Sequence, residues 1–439
     1  MKYIIIISLV LWFPTVILNY SDDASFFFWR HHLTILTGLI GFACMTISVV
    51  LALRLKWVED KLNGLDKGYS LHKQMGIGAL VFLVLHWVII ESAKWLISAG
   101  LLERPHRGGG ARHAIEGINW THLAKIVGEY TFYVFVIFAA ISLIQLISYK
   151  KFKFTHNLAG AIFIAGAFHS VIIMDLNWPS VALDTTIILM SIVGVIGSVI
   201  SLTGKIGRNN KVQGVISSHQ IIQVAPSQPK VLHIKIKLEK EITYREGQFA
   251  YIDFLDGESP HPFSVLNYDK PTHTIEFAIK ELGDYTTSLM NTINDRMCVT
   301  VEGGYGRFSI PQQRKQIWVG AGIGIIPFIA WLHGLSKITS ASSKNSIDFY
   351  YCRRSQKESY FLQQIIELTA KSPNIRLHVI TEEDGERLLA NQIASNTTIC
   401  NDTAVSFCGP IKFAEQLARD LTSMGLPEGQ FHSEKFIMR

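Results

Sequence analysis

Leu71-His72-Lys73-Gln74-Met75-Gly76-Ile77-Gly78-Ala79-Leu80-Val81-Phe82-Leu83-Val84-Leu85-His86 and Phe154-Thr155-His156-Asn157-Leu158-Ala159-Gly160-Ala161-Ile162-Phe163-Ile164-Ala165-Gly166-Ala167-Phe168-His169 are two apolar stretches, each with a histidine near both ends. An ionisable side chain at membrane depth is costly, so four of them point to function. Two helices that each supply one imidazole per iron could hold two stacked haems. His72 and His86 are fourteen residues apart, which at 1.5 Å per residue sets two levels roughly 21 Å apart, most of a ~30 Å hydrocarbon core. That spacing suits an electron path through a membrane. A single histidine would read as a helix–helix hydrogen-bonding residue. Two matched pairs favour ligation.

The second stretch carries a geometric difficulty. Thirteen residues separate His156 from His169, which on an ideal helix turns the rings roughly 140° apart. A bend, a π-bulge or off-centre haems must absorb the difference, and Gly160 and Gly166 make a local deviation plausible.

The chain has 439 residues, 49% of them hydrophobic, and the apolar material is concentrated before about residue 204. Six segments there are long enough to span a bilayer: about 3–20, 33–53, 74–98, 123–147, 156–175 and 182–203. The first has Lys2 and an apolar run but no small-residue cleavage site before Tyr20-Ser21-Asp22, so it reads as a retained helix. The fold class expected is multidomain: an all-α six-helix transmembrane bundle over 1–205, followed by soluble domains.

Loop charges orient the bundle. With the carboxyl half inside, the inner loops hold eleven basic residues, from Arg54 and Lys56 through Lys150 and Lys151 to Arg208 and Lys211, against Arg30, Arg104, Arg107 and Arg112 outside. This predicts a multi-pass protein of the cell membrane with its soluble half cytoplasmic. The outer run from Arg104 to His113 reads either as a solvated loop or as an electropositive mouth for an anion or anionic chelate. His31, His32 and His122 fall at expected helix ends and read as interfacial. The net charge of +6 follows membrane topology and implies no nucleic acid. The five cysteines, Cys44, Cys298, Cys352, Cys400 and Cys408, include no Cys-x-x-Cys and no ferredoxin-like spacing.

After Lys211 the period changes. Lys230-Val231-Leu232-His233-Ile234-Lys235-Ile236-Lys237-Leu238 alternates as a half-buried strand should, and further strands are expected near 248–254, 274–279 and 297–302. These predict an antiparallel β-barrel over about 212–311. From Gln316 apolar strands alternate with helical stretches, which predicts a parallel α/β nucleotide-binding sheet over 316–439.

The motifs in this half carry a resemblance. His261-Pro262-Phe263-Ser264 resembles the flavin motif of the ferredoxin–NADP reductase superfamily, and Gly320-Ala321-Gly322-Ile323-Gly324-Ile325-Ile326-Pro327 and Cys408-Gly409-Pro410 resemble its pyridine-nucleotide motifs. Together with the paired histidines, the chain is similar to the prokaryotic NADPH oxidase and ferric reductase-like flavocytochrome b family over nearly its whole length.

That resemblance implies FAD, NADPH and two b-type haems, with His72, His86, His156 and His169 as the iron ligands. It implies that Pro262 stiffens its strand, that Phe263 lies against the isoalloxazine, and that Ser264 hydrogen-bonds the flavin N5 edge. His261 stands where relatives meet flavin phosphate, and Gly283-Asp284-Tyr285-Thr286 resembles the turn whose amides and hydroxyl cradle the pyrophosphate. Glu246-Gly247-Gln248-Phe249 and Gly303-Gly304-Tyr305-Gly306 resemble the family's strand-end turns. Gly320, Gly322, Gly324 and Pro327 open a helix that would face a diphosphate. Arg353 or Arg354 would read the 2′-phosphate, and Cys408, Gly409 and Pro410 would lie by the nicotinamide. In the final segment Phe436 would cover the flavin.

The function expected is a transmembrane oxidoreductase that passes electrons from cytosolic NADPH through FAD and two haems to an outer acceptor. Dioxygen, giving superoxide, leads; a ferric chelate is the alternative. A different class is a haem-containing transporter or redox sensor with a regulatory flavin domain, which steady NADPH turnover would exclude. Protein partners are not legible.

Overall fold

In the computed structural model, which describes residues 1–20, 25–62, 64–103, 118–144, 155–174, 181–223, 229–337, 345–385 and 387–434, the apolar half is helical. Its described helices are α1 (Lys2–Asn19), α2 (Phe26–Ala52), α3 (Lys56–Leu62), α4 (Leu65–Ser98), α5 (Trp120–Leu143), α6 (Ala159–Ile173) and α7 (Val181–Leu202). Five of them, α1, α2, α4, α5 and α7, are long and apolar enough to cross a membrane, while α6 has 15 residues. Large apolar side chains such as Ile7, Val10, Phe13, Ile137 and Ile196 are exposed on these helices. Water would not tolerate such a surface, and lipid would. This half is a multi-pass membrane region.

The segment expected as one helix over 156–175 departs from that expectation at its start. His156 sits one turn before α6, and Asn157 and Leu158 form a turn closed by Leu158 N–H donating to the carbonyl of Thr155 at 3.0 Å. Asparagine favours turns because its side chain competes for backbone partners. The helix is interrupted there, whereas Gly160 and Gly166, where a deviation was expected, lie within α6. His32 also differs from expectation: it is buried at 2% exposure under Phe28, with Trp12 Nε1 donating to its carbonyl at 2.8 Å. Packing of α1 on α2 covers it.

The chain divides into two compact units, residues 1–62 with 67–207, and 63–66 with 208–439. The second opens with a closed antiparallel barrel in the order β1 (Lys211–Ile222), β2 (Val231–Leu238), β5 (Thr274–Lys280), β4 (His261–Asp269), β3 (Phe249–Asp253), β6 (Cys298–Tyr305), with α8 (Asp284–Thr292) between β5 and β6. The alternation read in β2 is realised: Leu232, Ile234, Ile236 and Leu238 are buried and Lys235 and Lys237 point out.

A parallel five-stranded sheet follows, in the order β11 (Phe431–Glu434), β10 (Thr403–Cys408), β7 (Lys315–Ala321), β8 (Ser346–Arg353), β9 (Ile375–Thr381). Helices α9 (Ile326–Ser336), α10 (Leu362–Ala370), α11 (Ala390–Asn396) and α12 (Ile411–Ser423) accompany it. Trp318, Phe328 and Trp331 form an aromatic core in which Phe308 stacks on Trp331 at 4.7 Å. Barrel residues Val231, Leu266 and Ala278 belong to the same cluster, so barrel and sheet share a core. A Lys280–Glu358 ion pair at 3.2 Å, with both side chains largely buried, ties them further.

Candidate functional site

The membrane histidines are seated on backbone. His72 Nδ1 lies 2.9 Å from the carbonyl oxygen of Ser48 on α2. His86 Nδ1 lies 2.8 Å from that of Thr34, also on α2, and His169 Nδ1 lies 2.8 Å from that of Ala124 on α5. A carbonyl only accepts, so each Nδ1 carries the proton and each Nε2 keeps its lone pair. Metal-ligating imidazoles are held in this way, because the second nitrogen fixes tautomer and ring orientation. The rings of His72 and His156 have centroids 5.9 Å apart. Two metal–imidazole bonds of about 2 Å plus the ring radii need ~6 Å. The residues present fit an iron between them. Between the two levels along the sequence, Phe42 stacks on Phe163 at 5.2 Å. Gly194 makes the room, since a Cβ there would fall 2.1 Å from Phe163 Cζ.

On the barrel, β4 begins with four consecutive partly exposed residues, His261, Pro262, Phe263 and Ser264, where a strand covered on one face would alternate. They pair with β3 at Ile252, Tyr251, Ala250 and Phe249 in that order. His261 stacks on Tyr285 with centroids 3.8 Å apart, which brings the start of β4 against the Gly283–Thr286 turn at the head of α8. The hydroxyl of Thr286 accepts from the amides of Leu282 and Gly283 at 2.9 and 3.1 Å. Thr286 therefore builds the turn with the oxygen that was expected to meet a phosphate. The expected strand-end turn at Glu246–Phe249 is tightly braced: Trp331 Nε1 donates to the carbonyl of Glu246 at 3.3 Å, and Gly247, at φ +92°, leaves no space for a side chain beside Phe308.

In the sheet, Cys408 pairs in register with Gly320, so both nucleotide motifs end side by side. A Cβ on Gly324 would lie 2.3 Å from the carbonyl oxygen of Cys408, and one on Gly409 would lie 2.7 Å from the Cβ of Ala321. Only glycine lets these loops close on one another. Pro327 stands in the first turn of α9, where its missing amide costs nothing, and Pro410 caps α12. Both 353 and 354 lie at the end of β8, yet they differ. Arg353 is braced, its Nε donating to Thr381 at 2.9 Å and its Nη1 to Ser359, while Arg354 is exposed.

Residues 37–167 match the ferric reductase-like transmembrane component, and residues 216–313 match an FAD-binding domain. The chain therefore carries a ferric reductase-like transmembrane component followed by an FAD-binding domain. The first match covers His72, His86 and His156; the second covers 261–264 and 283–286. Among curated relatives, the ferredoxin–NAD(P)+ reductase component of a naphthalene 1,2-dioxygenase/salicylate 5-hydroxylase system from Ralstonia is 22% identical over 47% of this chain and 64% of its own length. A flavohemoprotein of Vibrio cholerae is 27% identical over 29% of this chain and 32% of its own. The chain thus spans about two thirds of the first and one third of the second. A solved ferredoxin–NADP+ reductase from Plasmodium falciparum is 17% identical, with 52% of this chain and 96% of that one covered at a TM-score of 0.43.

One polar group escaped the sequence reading. Glu434 ends β11 in register with Cys408, and both of its carboxyl oxygens are buried with no hydrogen-bond partner among the described residues. Burial pushes its carboxyl up to about 8 and lifts the Cys408 thiol well above its ordinary range. The signal was a lone carboxylate at the end of the terminal strand Phe431-His432-Ser433-Glu434. Phe436, expected over the flavin, and the basic run 104–113 lie outside the described residues.

Proposed function

We propose that this chain is a membrane oxidoreductase that takes electrons from NADPH on the cytoplasmic side and delivers them across the bilayer to dioxygen, producing superoxide. The reading is carried by the histidine seats. Three of the four membrane histidines hold Nδ1 on a helix carbonyl and leave Nε2 to ligate, in a chain that also carries a flavin-type barrel and a nucleotide-type sheet.

Haem at His72/His156 and His86/His169, with FAD on the barrel, would supply one-electron carriers and the conversion of a two-electron hydride into single electrons. His261, Pro262, Phe263 and Ser264 offer the open strand face for the flavin, and the turn at Gly283 stabilised by Thr286 offers backbone donors to its pyrophosphate. Gly320, Gly322, Gly324 and Pro327 shape the diphosphate loop. Arg354 reaches solvent at the end of β8 to meet a 2′-phosphate, and Arg353 holds the loop beneath it. Cys408, Gly409 and Pro410 let a nicotinamide approach closely. Glu434 keeps its carboxyl proton at neutral pH and so presents an O–H donor beside Cys408. Phe436 would close the flavin face.

His86 and His169 would together hold the outer haem, which would supply single electrons to an acceptor that need not bond to the metal. A ferric chelate is the second reading, favoured by the match to the ferric reductase-like transmembrane component. NADPH oxidation by the purified protein with added FAD, under air and under argon, decides between them. Dismutase-sensitive cytochrome c reduction in air supports the oxidase. Turnover that continues under argon with ferric citrate and yields no superoxide in air supports the reductase.

A further inference from the structure

The carbonyls that seat His86 and His169 are each followed, four residues along the same helix, by glycine: Thr34 by Gly38 on α2, and Ala124 by Gly128 on α5. In a helix the Cβ at i+4 leans back over the carbonyl of residue i. A side chain at i+4 would therefore occupy the space from which an imidazole reaches that carbonyl. The distances bear this out. A Cβ on Gly128 would lie 2.0 Å from His169 Nδ1 and 2.3 Å from its Cε1; a Cβ on Gly38 would lie 3.0 Å from both Nδ1 and Cε1 of His86. In the His86 case Nε2 is the far side of the ring, at 3.9 Å. The acceptor of His72, Ser48, is followed at i+4 by Ala52. The glycine seat thus recurs at both histidines of one level and is absent at His72.

Glycine weakens a helix relative to alanine, so its presence at two such points calls for a local reason. Close helix packing is one, as at Gly197, where a Cβ would meet Val49 and Leu53. Gly38 and Gly128 instead face the histidine rings. We infer that Gly38 and Gly128 are positioning residues for the haem at the His86/His169 level: by leaving the i+4 position empty they let each ring hold its carbonyl and so set the direction and basicity of Nε2. This rests on the haem reading above. Nδ1 hydrogen bonding raises the basicity of a ligating imidazole. A ring pushed off its carbonyl makes a weaker donor to ferric iron, and the potential of that haem moves upward.

The test compares full-length Gly38→Ala, Gly128→Ala, Gly197→Ala and Gly166→Ala with the wild type. Gly166 is the open control, because nothing lies within 4 Å of its Cβ position. Haem per chain is measured by pyridine haemochrome, and midpoint potentials by spectroelectrochemical titration. The expected result is one haem per chain in Gly128→Ala. Gly38→Ala should keep two haems, with one potential raised and the other unchanged. Both controls should keep two haems at wild-type potentials. If Gly128→Ala fails to accumulate, Gly38→Ala decides by its potential. Wild-type stoichiometry and potentials in both seat variants, or equal haem loss in Gly197→Ala, would overturn the seats while leaving the haem reading standing. A wild-type chain that takes up no haem would overturn that reading and the seats with it.

Discussion

Glu434 stands in parallel register with Cys408, so a buried carboxyl without a hydrogen-bond partner among the described residues ends the strand beside a buried thiol. The two groups face the same problem, which is that neither can ionise cheaply where it sits. One is an acid that stays protonated at neutral pH, and the other is a thiol that stays neutral. Neither group therefore adds a charge to the corner of the sheet where a nicotinamide is proposed to enter.

A pH prediction follows from Glu434. Its pKa rises from 4.5 to about 8 on folding, so within that window the native chain holds a proton that the unfolded chain releases. The corresponding stability is complete below pH 4.5 and is lost as pH rises through 8. Glu434→Gln cannot titrate, so its thermal unfolding temperature should change less between pH 5 and 8 than that of the wild type. Parallel curves for the two proteins would remove Glu434 as the source.

Haem content should follow the histidine levels. His86→Leu is expected to leave one haem per chain by pyridine haemochrome, and His86→Leu combined with His72→Leu none. A chain without any of the four histidines that still carries a full haem load would defeat the assignment.

Nucleotide choice separates the two arginines. A charge-assisted contact to a 2′-phosphate is worth roughly 1.5–3 kcal/mol, or about 10- to 150-fold. Arg354→Ala should raise the Michaelis constant for NADPH by that order and leave NADH nearly unchanged. Arg353→Ala loosens the loop joined to Thr381 and Ser359 and should weaken both nucleotides alike. Equal effects of Arg354→Ala on NADPH and NADH would show that it does not read the phosphate.

Gly247 tests the brace under the flavin strands. A Cβ there would lie 2.1 Å from the carbonyl oxygen of Phe308 and 2.4 Å from Trp331 Nε1, at a positive φ. Gly247→Ala should destabilise by at least ~1–3 kcal/mol and release flavin at a lower temperature, followed by the rise in flavin fluorescence on heating. An unchanged release temperature would mean that the turn relaxes without cost.

Much of this protein was already legible in its residue order. The apolar runs and the period-two alternation of Val231–Leu238 determined a helical membrane half followed by a barrel and a parallel sheet, because burial pattern and element period are local properties of the chain. The matched spacing of His72 with His86 and of His156 with His169 pointed to paired ligands for the same reason. What remained hidden depends on residues far apart in sequence. The carbonyls that seat His72, His86 and His169 come from positions 24, 52 and 45 residues away, and backbone groups carry no side-chain signature. The mismatch between His156 and His169 was visible, but the interruption of the helix at Asn157–Leu158 was not, since several deviations could have served equally well. Arg353 and Arg354 look alike as letters; only the packing of Thr381 and Ser359 around one of them decides which is left exposed. Glu434 was an unremarked acid until strand β11 laid it beside Cys408, where burial, a property of the assembled sheet, determines whether it holds its proton.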